Sequence, residues 1–282
     1  MTETDPLVTT EWVANHLDDP GVVIADVDED TDLYHTEGHI PGAIAFHWQD
    51  EFQHPVRRGF LDKDQFEALM DKKGISRDDH VVLYGGNNNW FAAYAYWYFR
   101  LHGHPRVSLM DGGRKAWVAE GRELTTEPPK RPESSGYQAT GPDPEIRAMR
   151  QQVLDEFVGA PEGTALVDVR SPAEFKGEKL APDHLPQESA QVPGHIPGAA
   201  NVPWSQAVDT DTGKFKTREE LEELYRQQGV TPDKEVVAYC RIGERSAHTW
   251  FVLHELLGYD KVRNYDGSWT EYGSLIEAPV ER

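Results

Sequence analysis

The sequence predicts an α/β protein made of two homologous domains, each a parallel sheet flanked by helices. Internal repetition is the first observation. His39-Ile40-Pro41-Gly42-Ala43 recurs as His195-Ile196-Pro197-Gly198-Ala199 at an offset of 156. Val81-Val82-Leu83-Tyr84 recurs as Val236-Val237-Ala238-Tyr239, and Gly103 and Asp111-Gly112 recur as Gly258 and Asp266-Gly267, all at 155. A repeat of this length means two copies of one fold. The second observation is alternation: strands of about five residues and helices of about twelve follow one another, which implies parallel sheets with helices on their faces. The third is a break. Residues 125–145 hold five prolines with Gly and Ser, a composition that neither propagates a helix nor fills a central strand. The domains are therefore 7–124 and 146–282, joined by a linker over 125–145.

In the first domain, residues 22–27, 81–84 and 106–110 read as strands, and 64–73 and 89–101 as helices. The run Trp90-Phe91 with Tyr94, Tyr96, Trp97, Tyr98 and Phe99 is expected to be helix core and domain interface. Asp26 matches Asp168 at an offset of only 142, so the second half carries 14 extra residues before His195. Residues 178–190 there read as a Pro-rich loop. Residues 146–157 are helical by periodicity, and 165–169 form a buried strand. Thr217 caps a helix through Gln228, with Glu220 as its capping-box partner and Gly229 as its stop. Residues 235–239 and 261–265 are strands, and 243–257 a helix closed by Gly258.

Composition narrows the function. Forty-nine acidic residues against 28 basic ones give a net charge of −21, which excludes nucleic acid and anionic membrane as principal partners. That acidity fits either an ordinary solvated surface or adaptation to high salt. No apolar run approaches the roughly 20 residues that span a bilayer, and residues 1–10 lack the pattern of a signal peptide. A single cysteine, Cys240, rules out an intrachain disulfide and points to the cytoplasm.

The duplication also separates fold from chemistry. Features shared by both halves, including the two His-Ile-Pro-Gly-Ala turns, belong to the fold, so His195 reads as structural. His248 and His254 read as surface or packing residues. Cys240 falls opposite Gly85, and Arg241 and Arg245 fall opposite Gly86 and Trp90, so thiol and charges occur together in one half only. Cys240 ends a predicted parallel strand and precedes a helix, the sheet edge where ligands bind. Backbone N–H groups of Arg241-Ile242-Gly243-Glu244-Arg245, with the helix N-terminus, would cradle an anion and favour a reactive thiolate. A lone cysteine is usually a small buried hydrophobe; two arginines within five residues argue otherwise here.

At these residues the chain resembles the tandem-domain rhodanese family, the thiosulfate sulfurtransferases. The resemblance rests on both His-Ile-Pro-Gly-Ala turns, on the loop Cys240 to Arg245, and on Asp266-Gly267-Ser268-Trp269, and it covers nearly the whole chain. It implies an inactive N-terminal domain and a catalytic C-terminal one. Cys240 would carry sulfur as a persulfide, and Arg241, Ile242, Gly243, Glu244 and Arg245 would bind the donor. No metal or organic cofactor is implied. The expected partners are thiosulfate as donor and cyanide or a thiol as acceptor.

Two departures stand out. Some relatives have lysine where this chain has Ile242, and some have arginine where it has Glu174. Charge recognition is then expected to rest on Arg245 and Arg241, with Arg170, Lys176 and Ser246 as further candidates. Three other activities are compatible in outline. A 3-mercaptopyruvate sulfurtransferase shares the nucleophile, but Arg241 favours the dianionic donor. A Cys-dependent phosphatase or arsenate reductase needs arginine six positions after the cysteine, where this chain has Ser246. A redox-sensing or binding module would use the thiol without turnover.

Overall fold

The computed structural model describes residues 4–130, 134, 136–182 and 189–282. The chain divides into two compact units: residues up to Asp143 together with Val208–Phe215, and the remainder from Pro144. In the first, β1 (Leu7–Val8), β2 (Val22–Asp26), β3 (Ile44–Ala45), β4 (His80–Tyr84) and β5 (Val107–Met110) make one sheet in the order β1-β5-β4-β2-β3. In the second, β6 (Thr164–Asp168), β7 (Ala200–Asn201), β8 (Glu235–Tyr239) and β9 (Val262–Tyr265) pair in the order β7-β6-β8-β9. Every strand pairing is parallel. The central strands β4 and β8 are near-continuous apolar runs because helices cover both of their faces.

Local chemistry sets the helix ends. The Lys63–Lys72 helix opens on a reciprocal capping box between Asp62 and Gln65, and Arg218–Arg226 opens on the Thr217–Glu220 box read in the sequence. In the Trp90–Leu101 helix every residue but Arg100 is buried. Its rings pack inside the first unit, with Tyr98 at 5.0 Å from Phe52 and Phe99 at 5.9 Å from Phe46.

Periodicity misleads at residues 146–157. Helix begins only at Arg150, and Val153–Phe157 is a π-helical turn. Residues 146–148 instead extend along β9: Asn264 N–H donates to Ile146 O, and Ala148 N–H donates to Asn264 O, both at 3.0 Å. The edge strand β9 needs partners for its backbone, and that demand overrides the helical spacing. Residues 125–143, where described, belong to the first unit, on which the Tyr137 and Ala139 N–H groups donate to Asp71 and Glu67, while Pro144 and Glu145 form a turn in the second. Of the Pro-rich loop read at 178–190, residues 183–188 lie outside those described.

The repeated turns serve the same structural purpose in both units. Tyr84 Oη accepts from Ile40 N–H at 3.0 Å, and Tyr239 Oη accepts from Ile196 N–H at 3.1 Å. His39 stacks on Tyr34 with Nδ1 at 3.0 Å from Tyr34 O; His195 stacks on Phe175 with Nδ1 at 2.8 Å from Phe175 O. His248 is buried against Trp204, and His254 stacks on Trp250, so both pack.

Candidate active site

Cys240 follows β8 directly, and the Glu244–Phe251 helix begins four residues later. The turn between them is possible because Gly243 adopts φ +99°, a left-handed conformation, with the backbone of Asp266 directly against its Cα. A side chain there would meet Asp266 Cα at 2.6 Å. This fold of the loop aims Gly243 N–H at Cys240 Sγ, 3.1 Å away.

The neighbouring strand supplies the other wall. After β9 the chain turns at Ser268, whose φ of +50° is unusual for a residue with a side chain. Its Oγ accepts from Cys240 N–H at 3.0 Å, donates to Tyr265 O at 2.7 Å, and lies 4.0 Å from Sγ. The next two amides, Trp269 N–H and Thr270 N–H, donate to the carbonyls of Cys240 and Arg241, each at 3.0 Å. Asn264 Nδ2 donates to Gly243 O at 3.0 Å, and Ser246 Oγ lies 2.6 Å from Asn264 Oδ1. Ser246 thus ties the loop to β9. Ser268 and Asn264 enter the site 24 residues or more beyond the cysteine; the sequence marked Ser268 only as part of the Asp266-Gly267-Ser268-Trp269 motif, without a site role, and did not mark Asn264. A signal existed: Asp266-Gly267-Ser268 ends the strand next to β8, at the same sheet edge.

The charged residues of the loop are all buried. Cys240 is 0% exposed, Glu244 1%, Arg241 2% and Arg245 4%. Ile242 is buried beside them. Arg241 approaches Glu244 Oε1 at 3.7 Å, while Glu244 Oε2 lies 3.5 Å from Sγ. Arg245 donates through both terminal nitrogens to the two oxygens of Glu174, each at 3.0 Å. Burial alone would raise the Glu174 carboxyl, but hydrogen bonds from Arg245 and Ser171 outweigh it and hold the group at about 2. Burial likewise opposes the charge on Arg245, yet Glu174 and the nearby Cys240 raise it overall. Glu174, noted in the sequence only as a missing arginine, is therefore the direct partner of Arg245.

Arg170 and Lys176 differ from the loop arginines in their surroundings. Arg170 is fully buried, with Nε and Nη2 donating to Asp168 and Nη2 also to Gly194 O at 2.7 Å. The first unit holds a guanidinium on the same partners from another position: Arg114 donates to Asp26 at 2.9 Å and to Gly38 O at 2.6 Å. Arg114 matches Trp269 in the repeat, and Arg170 stacks over Trp269 at 4.8 Å. Arg170 is thus a structural cation exchanged between two positions of the fold. Lys176 is exposed at the end of the Pro172–Phe175 helix.

The corresponding place in the first unit is filled. A Cβ on Gly85 would meet Val27 O at 2.2 Å, and one on Gly86 would meet the Asp28 carboxylate at 2.7 Å. Asn87, Asn88 and Asn89 all take positive φ, and Asn89 Oδ1 accepts from Gly85 N–H.

Both units match the rhodanese-like domain family, over residues 9–120 and 151–275. The chain belongs to the rhodanese-like family. Along its whole length it is 58% identical to a Saccharopolyspora erythraea protein named "Putative thiosulfate sulfurtransferase", covering 98% of that protein. It is 53% identical to the "Sulfur carrier protein TtuD" of Thermus thermophilus, over 98% of this chain and 96% of that one. Among solved structures, SseA of Escherichia coli, described as a 3-mercaptopyruvate sulfotransferase, superposes with a TM-score of 0.80 at 29% identity. The match spans 94% of this chain and 99% of that one. EanB shares the fold, with a TM-score of 0.85 at 23% identity over 98% of this chain and 69% of that one. Among the described residues of this rhodanese-like chain, no helix is long and apolar enough to cross a membrane. Nor do those residues include a His, Cys, Asp and Glu cluster arranged to hold a metal.

Proposed function

We propose that the chain is a thiosulfate sulfurtransferase acting by double displacement through Cys240. The observation that carries this reading is the Gly243 N–H aimed at Sγ from a helix N-terminal turn. Such a donor stabilises negative charge on sulfur before and after loading. The Cys240 thiolate attacks the outer sulfur of thiosulfate; the new S–S bond forms as the sulfur–sulfonate bond breaks, and sulfite leaves with the electron pair. A nucleophilic acceptor, cyanide or a thiolate, then takes the outer sulfur as the persulfide S–S bond breaks, and Cys240 is freed for the next cycle. Dividing the transfer in this way is the gain of covalent catalysis. The name of the Saccharopolyspora relative supports the donor, and that of the Thermus relative, a sulfur carrier protein, supports sulfur carried on the chain. The lone cysteine suits a reducing cytoplasm.

A second donor, 3-mercaptopyruvate, is favoured by one observation: Glu174 occupies the paired nitrogens of Arg245 and offsets its charge. Intact mass after incubation with each donor tests both readings. One added sulfur, lost on adding cyanide and absent in Cys240→Ser, is the expected result with thiosulfate. Sulfur gain in the Ser variant would overturn the assignment to Cys240, and gain from mercaptopyruvate alone would change the donor.

A further inference from the structure

We infer that Glu244 is a catalytic acid–base of the sulfur-transfer cycle, exchanging one proton with Cys240. The inference rests on the reading of Cys240 as the nucleophile. Glu244 is the first residue of the helix that follows the loop, and its Oε2 lies 3.5 Å from Sγ, within reach of an S–H donor. Both residues are sealed from solvent, at 1% and 0% exposure. A proton leaving the thiol therefore finds a carboxylate before it finds water.

The surrounding charges suit that exchange. Arg241 approaches the other carboxylate oxygen of Glu244 at 3.7 Å and leaves Oε2 to the sulfur. Arg245, the next residue, interacts electrostatically with both Cys240 and Glu244, so its positive charge attracts negative charge on either of them. From the neighbouring strand, Asp266 packs on Gly243, but Arg147 holds its carboxylate at 3.0 Å. Glu174 is likewise taken by Arg245. Cys240 and Glu244 are thus left facing each other, placed to exchange one proton.

Each step balances. In loading, the Cys240 proton passes to Glu244, the thiolate attacks the outer sulfur of the donor, and sulfite departs. The products are a perthiolate on Cys240 and a neutral carboxylic acid. In discharge, the acceptor takes the outer sulfur, the S–S bond breaks toward Sγ, and Glu244 returns its proton to the leaving Cys240. The resting thiol and carboxylate are restored, with no external acid or oxidant.

Thiosulfate is the suitable probe, because it stays a dianion throughout the neutral range and any pH dependence of loading then comes from the protein. Single-turnover loading of the wild-type chain is expected to be level across neutral pH, since the proton moves within the pair. In Glu244→Gln the thiol must lose its proton to water. Loading should then fall about tenfold per pH unit on the acid side and recover as pH rises, while discharge slows roughly a hundredfold. Glu244→Asp, which retains a carboxyl group, should keep the level profile at a reduced rate. A Gln variant with the wild-type profile, or one slowed by the same factor at every pH, would overturn the role. The ultraviolet absorbance of the Cys240 thiolate against pH, with Cys240→Ser as blank, needs no sulfur donor. A thiolate step in the Gln variant displaced from that of the wild type supports the proton exchange; identical titrations overturn it. Failure of thiosulfate to load the wild-type chain would instead count against the donor assignment alone.

Discussion

The carboxylate of Glu174 grips the guanidinium of Arg245 end-on, with two bonds of 3.0 Å inside a buried site. These residues stand 71 positions apart, on different elements of the catalytic unit. A cation that the loop sequence appeared to offer to the donor is thus committed to an internal partner. The charge presented to an incoming anion is correspondingly smaller than the loop's two arginines suggest.

Glu174→Gln should change donor preference. Removing one negative charge while keeping a hydrogen-bonding side chain leaves more of the Arg245 charge for the donor. A charge-assisted contact to a dianion contributes about 1.5–3 kcal/mol, so kcat/KM for thiosulfate should rise roughly tenfold or more. Mercaptopyruvate, with one charge fewer, should gain less. Steady-state kinetics with both donors check this, and equal changes would make the pair purely structural.

Arg245→Ala should cost stability as well as activity. Removing one partner of a buried pair leaves the other charge uncompensated, at about 3–5 kcal/mol. Urea denaturation should show that loss, and Arg245→Ala combined with Glu174→Ala should recover part of it. A midpoint unchanged in the single variant would show that Glu174 tolerates isolation.

The same pair makes stability fall in acid. Glu174 has an ordinary value of 4.5 and is held at about 2 in the folded chain. A depressed folded value adds stability that is complete above the unfolded value and is lost as pH drops from about 4.5 through about 2. The stake is about 3 kcal/mol by the shift alone. Unfolding free energy measured across that window should decline less steeply in Glu174→Gln than in the wild type.

Ser268 should tolerate glycine better than alanine. Either change leaves Cys240 N–H without the Ser268 Oγ acceptor, a buried loss of about 1–3 kcal/mol. Only glycine takes the φ of +50° without strain, so Ser268→Gly should recover about 0.5–1 kcal/mol of what Ser268→Ala loses. Thermal or urea denaturation of the two variants, compared side by side, tests the ordering.

Gly85→Cys should create no second sulfur carrier. Its Cβ would press on Val27 O at 2.2 Å, and no guanidinium stands at Trp90. In a Cys240→Ser background, intact mass should register no sulfur uptake from thiosulfate, and the melting temperature should drop. Residues 1–124 alone should also be inactive.

Much of the architecture was determined by the sequence itself. The offsets of 155 and 156 pair the two halves, and the matched strands β4 and β8 hold the same place in their sheets. Alternating apolar runs and the Thr217–Glu220 box mark element ends because both act over three or four residues, within reach of local physics. Cys240 at the end of β8 follows from the same pattern, because a nucleophile after a strand and before a helix has one place to go.

Tertiary structure alone decided which partners the charges take. Arg245 with Glu174, Arg114 with Asp26, and Ser268 beneath Cys240 all join residues distant in sequence. Residues 146–148 gave up a helical pattern to cover the open edge of β9 for a related reason. Once burial removes water, each charge and each backbone donor must find a partner within about 3 Å. Periodicity along the chain carries no information about which distant residue that partner will be.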